Sequence, residues 1–121
     1  MQEKRAFKRN SAGSAPGILV VEGRRIPVSF LDISLAGARV KAHTSRLPPA
    51  DIRATLGSAG DEARFFVNCR IVGKDTEGIL RIKFEGIGET SLTNLMALLR
   101  KLGEDGYTPE DDLPNLILNL D

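Results

Sequence analysis

The chain has 121 residues, 41% hydrophobic and 27% charged, with a net charge of +1, which leaves room for one domain core and excludes collagen-like, coiled-coil and disordered classes. Its single cysteine, Cys69, excludes an intramolecular disulfide and a thiol-built zinc site and suits a reducing compartment. No run approaches the ~18 apolar residues that cross a bilayer, and the charged start MQEKRAFKR has no apolar segment behind it to serve as a signal peptide, so a cytoplasmic location is expected.

Charge is unevenly placed. Residues 1–9 carry Lys4, Arg5, Lys8 and Arg9 against Glu3, a net of +3, and residues 104–121 carry Glu104, Asp105, Glu110, Asp111, Asp112 and Asp121 with no Lys or Arg, a net of −6. A short basic head fits a compact anionic ligand better than a long polyanion, which needs a wider basic surface. The following NSAGSAPG, residues 10–17, has the composition of a flexible connection. Residues 1–17 are therefore expected to form a flexible N-terminal arm ahead of the folded body.

Ile18–Glu22 is a short β-branched run, Gly23-Arg24 a turn, and Arg25–Leu31 places Ile26, Val28 and Phe30 on one face. Together they predict a hairpin, with Pro27 at an edge or bulged position. Ala38–Ala42 and Ile52–Leu56 alternate as two further strands, and Arg64–Gly73 and Ile79–Phe84 predict another hairpin across Lys74–Gly78. The period changes near Glu89, where Leu92, Leu95, Met96 and Leu99 recur at helical spacing, with Thr90 or Ser91 as N-cap and Gly103 just past the end. The Leu/Met stripe reads as core packing. Six short two-faced strands followed by one helix predict an all-β fold, a six-stranded antiparallel barrel over residues 18–103, with the helix covering apolar surface. Residues 104–121 are left as an acidic and apolar C-terminal tail.

Two motifs carry functional chemistry: Arg5-Ala6-Phe7-Lys8-Arg9, an RxxxR, and Asp32-Ile33-Ser34-Leu35-Ala36-Gly37, a DxSxxG. Arginine bonds phosphate oxygens bidentately, reads the guanine O6/N7 edge and stacks on bases. Asp32 brings two carboxylate acceptors, Ser34 adds a small donor and acceptor, and Gly37 permits a backbone angle or close approach that a Cβ would block. In order and context the two motifs resemble the PilZ domain, the bacterial receptor for cyclic di-GMP, and the resemblance runs from about Lys4 to Gly103. LDISLAGARV is also similar to that family's sequence, with Ala36 where a glycine often stands.

The resemblance implies a PilZ-type barrel and a cyclic di-GMP site formed by Arg5, Arg9, Asp32, Ser34 and Gly37; Lys4, directly before the motif, is expected to add a phosphate contact. The resemblance assigns the arginines to the phosphates and guanine faces and the second motif to the guanine and turn. His43 has no Cys, Asp or Glu at ligand spacing, and Ser34 lacks the GxSxG setting of a nucleophile elbow, so neither a metal nor catalysis is expected. No cofactor is expected beyond the cyclic di-GMP ligand.

A domain without catalytic parts acts by changing what it touches, so the expected output is an adaptor whose arm orders on cyclic di-GMP and signals to an unidentified protein partner. The tail, with Leu113, Leu116, Ile117, Leu118 and Leu120 after its acidic stretch, is suited to dock on its own barrel or on another protein. Two alternatives remain: a PilZ-like interaction module that binds no nucleotide, and a small nucleic-acid-binding barrel. The second is weakened by low aromatic content, 5%, with few aromatics near the basic stretch.

Overall fold

The structure is a computed structural model and describes residues 10–59, 64–102 and 109. Six strands, β1 (Asn10–Val21), β2 (Arg24–Ile33), β3 (Gly37–Ala42), β4 (Ile52–Ser58), β5 (Phe66–Lys74) and β6 (Ile79–Ile87), precede one helix, α1 (Glu89–Leu102). The strands close into an antiparallel barrel in the order β1-β2-β3-β6-β5-β4. The predicted six-stranded barrel with a C-terminal helix is the observed fold.

Alternation explains the core. Ile26, Val28 and Phe30 on β2, Val67, Cys69 and Ile71 on β5, and Leu80 and Ile82 on β6 all point inward and are buried. The Phe30 and Phe65 rings meet at 5.9 Å between centroids, tilted by 53°. From α1, Leu95 and Leu99 join the same core and are fully buried, each contributing roughly 1.5–3 kcal/mol by leaving water. No described helix is long and apolar enough to cross a membrane.

Three local expectations are corrected. Residues 10–17 are not a connection but the first part of β1. Ser11 pairs with Asp32 and Ala15 with Phe30, so β1 fits two extra residues into the ladder, and Gly13 and Ser14 take positive φ values of 57° and 63° there. Gly and Ser are tolerated in such a bulge, which is why the segment's composition mimics that of a loop. Pro27 is neither at an edge nor in a bulge. It pairs with Ile18, and its carbonyl accepts the N–H of His43 at 2.9 Å, just beyond the last β2–β3 pair, Val28–Ala42.

Neither Thr90 nor Ser91 caps α1. The helix starts at Glu89, and Gly88 ahead of it accepts the N–H of Leu92 at 2.8 Å. Ser91 instead ties the helix to the barrel, its hydroxyl accepting the N–H of Phe66 at 3.1 Å, while the Asn94 side-chain amide donates to the Arg64 carbonyl at 2.7 Å. The β2–β3 turn lies against β6, the N–H of Phe84 donating to the Ala36 carbonyl at 2.8 Å.

Candidate functional site

Asp32 stands between two irregularities. Toward β1 it adjoins the Ser11–Ala15 bulge, and toward β3 the pairing steps from Phe30–Val40 to Asp32–Arg39, leaving Leu31 as an extra residue on β2. The second bulge reverses the phase of the strand. Continued from Ile26, Val28 and Phe30, strict alternation would turn Asp32 into the core; with Leu31 inserted, Ile33 is fully buried and Asp32 faces outward. Its carboxylate Oδ2 accepts a bond from Arg39 Nε at 2.6 Å, with side-chain exposures of 13% for Asp32 and 45% for Arg39.

Ser34 and Gly37 build the turn that follows. The Ser34 hydroxyl, in a residue only 5% exposed, accepts the N–H groups of Ala36 at 3.1 Å and Gly37 at 3.2 Å and donates to the Gly37 carbonyl at 3.3 Å. The Ser34 N–H donates to that carbonyl at 2.8 Å. Such a network holds the loop between Asp32 and Arg39 rigid. At Gly37 the requirement is close approach and not a left-handed angle: a Cβ would run into the Ile82 carbonyl oxygen on β6.

Lys4, Arg5 and Arg9 lie outside the described residues. Asn10, which directly follows Arg9, is in register with Ile33, and Ser11 is in register with Asp32. The second motif's residues are brought together around one turn, and the first motif leads into the strand next to it.

Arg39 was not among the sequence-predicted residues. Its signal was present in ARV, an outward arginine opposite Asp32, but the pairing is visible only once the register is known. His43 pairs with Ser29, Nε2 to Oγ at 2.7 Å, apart from the turn. An outer groove of about 550 Å³ on β4, β5 and β6, lined by Arg53, Thr55, Asn68, Glu85 and Gly86 among others, contains none of the predicted site residues.

Compared with known protein families, residues 3–101 match the model of the PilZ domain. No curated protein matches the chain.

Proposed function

The chain belongs to the PilZ domain family, and on that premise we propose that it is a cyclic di-GMP receptor that acts as an adaptor and performs no chemistry on its ligand. The observation that carries this reading is the register at the start of β1, where Ser11 sits opposite Asp32. A motif of two arginines four apart is thereby tethered beside an outward aspartate on a rigid turn. The ligand offers two phosphodiester anions and two guanines, and these residues supply the complementary groups. Arg5 and Arg9 bond phosphate and stack on a purine, Asp32 accepts from the guanine N1–H and amine, and Ser34 and Gly37 keep Asp32 and Arg39 at fixed separation. Lys4 adds charge beside the arginines.

The signalling step in this reading is the settling of residues 1–9 against the barrel, which changes the surface offered to a protein partner. Isothermal titration of the full chain with cyclic di-GMP tests it. Micromolar or tighter binding is expected for the wild type, with a loss of at least about 2 kcal/mol for Arg5→Ala or Arg9→Ala, because a charged partner is removed from a paired anion. Absence of binding heat in the wild type, or wild-type affinity in both arginine variants, overturns the receptor reading and leaves the alternative of an interaction module.

A further inference from the structure

The outer wall formed by β3, β6, β5 and β4 sets cations directly opposite one another. Arg39 is the register partner of Arg81, Lys83 of Arg70, and Arg70 of Arg53. Like charges facing each other across a sheet are destabilising. The carboxylates of this wall answer only part of that charge: Asp32 takes Arg39, while Asp51 and Glu85 take Arg70, and Glu85 also stands 3.9 Å from Arg53. Among the described residues no carboxylate pairs with Arg81 or Lys83. The Arg81 guanidinium lies across Gly73 on β5, where any added Cβ would strike it, so the cation is laid along the wall.

The complementary charge is on the same chain. Residues 104–121 contain six carboxylate side chains and no Lys or Arg. Pro109, within this stretch, is buried. The 19 residues after Leu102 span up to ~60 Å when extended, about twice the ~30 Å length of a strand such as β6, so reach is not limiting.

We infer that the acidic C-terminal segment docks on the cationic wall of its own barrel, its carboxylates between Glu104 and Asp112 pairing with Arg81 and Lys83. The wall continues into Arg39, the register partner of both Arg81 and Asp32. The pairing rests on the charge arrangement and holds whether or not cyclic di-GMP is the ligand.

Zero-length carbodiimide cross-linking of the full chain, mapped by peptide mass spectrometry, tests it. Links from Lys83 to Glu104, Asp105, Glu110, Asp111 or Asp112 are expected in the monomeric product. They should fall at least about fivefold near 1 M salt, where the screening length is ~3 Å. A second measurement compares backbone amide shifts of the wild type with a variant carrying Glu104→Gln, Asp105→Asn, Glu110→Gln, Asp111→Asn and Asp112→Asn, and the changes are expected to cluster at Arg39, Arg81 and Lys83. Tail links to Lys4 or Lys8 in place of Lys83, links found only in covalent dimers, or amide shifts away from the wall would each overturn the inference. So would tight binding of a labelled single-stranded oligonucleotide that is lost in Arg81→Glu while the neutralised tail leaves the wall's shifts unchanged, since that assigns the wall to nucleic acid.

Discussion

Arg39 on β3 holds Asp32 on β2: its Nε stands 2.6 Å from Oδ2, and the two residues are direct partners across the sheet. The carboxylate is thus oriented before any ligand arrives, which lowers the ordering cost of binding. Arg39→Ala is expected to weaken cyclic di-GMP binding about three- to tenfold, and Asp32→Ala by about tenfold or more, roughly 1.4 kcal/mol per decade. Stability should change far less, by ~0.2–1 kcal/mol, because a cross-strand ion pair with a half-exposed arginine is screened by water. Titration calorimetry and urea unfolding on the same variants separate the two effects, and an Arg39→Ala variant with wild-type affinity would remove the orienting role.

Ser34→Ala removes the acceptor for two backbone N–H groups, those of Ala36 and Gly37, in a residue that is 5% exposed. Fully buried donors left without a partner cost ~1–3 kcal/mol, and the half-buried Ala36 and Gly37 amides fall at or below the low end of that range. The expected result is a lower urea midpoint, together with faster amide exchange at Ala36 and Gly37 than elsewhere in the barrel. Unchanged exchange at those two amides would show that the hydroxyl does not hold the turn.

Gly37→Ala forces a methyl group against the Ile82 carbonyl, and neither backbone can yield without loosening the Gly37–Lys83 pairing. Overpacking of this kind costs ~1–3 kcal/mol. Gly86→Ala on β6 is the control, since its nearest neighbours are Asn68 side-chain atoms at 3.9 and 4.0 Å and it should melt with the wild type. Equal melting of the two variants would contradict the close-approach account.

The barrel and helix are legible in the sequence because alternating and helical periods follow directly from which side chains are buried, as at Ile26, Val28 and Phe30 or Leu95 and Leu99. Asp32, Ser34 and Gly37 are legible as a turn signal. Their division of labour is not, because Ser34 bonds backbone groups and Gly37 makes room for the Ile82 carbonyl only once β3 lies against β6. The outward turn of Asp32 depends on the extra residue Leu31, and the Asp32–Arg39 pair on the resulting register. A bulge is a relation between two strands, and one strand's residues do not encode it. The Gly/Ser segment before Gly17 misleads for the same reason, since the features that mark a loop also fit a bulged strand.

Burial, reinforced by the negative charge of Glu85, pushes the Cys69 thiol up to about 12. The folded state therefore holds this proton more tightly than the unfolded chain, whose thiol titrates near 9.0. The resulting stability is complete below that value and is lost progressively as pH rises from there toward the folded value. Urea unfolding between neutral pH and pH ~10.5, a window that starts below the ordinary thiol range, should show the wild type losing stability more steeply than Cys69→Ala. Alkylation of native Cys69 at neutral pH is expected to be about a thousandfold slower than in the unfolded chain. Parallel pH slopes for the two proteins would contradict the shift.

The β1 bulge offers a way to separate the barrel's stability from the candidate site's geometry. Between Ser11 and Ala15 β1 advances four positions while β2 advances two, from Asp32 to Phe30. Deleting Gly13 and Ser14 removes the two surplus residues and sets Ser11 two positions from Ala15, on one face of a straight strand, although their partners Asp32 and Phe30 face opposite ways; the buried Ala12 is then turned outward. The deletion also removes a serine at φ 63°, a left-handed angle that costs a non-glycine residue roughly 1–2 kcal/mol. Relief of that strain is offset by the loss of Ala12 from the core, and the deletion variant is expected to melt at or slightly below the wild-type temperature. A bulge bends its strand and raises the local twist, so straightening β1 redirects the chain that leads back to Arg9 and Arg5. Affinity for cyclic di-GMP should fall about tenfold or more, roughly 1.4 kcal/mol or above, with the barrel intact. If the variant stays folded and binds as the wild type does, register alone aligns the arginines and the bend contributes nothing to recognition.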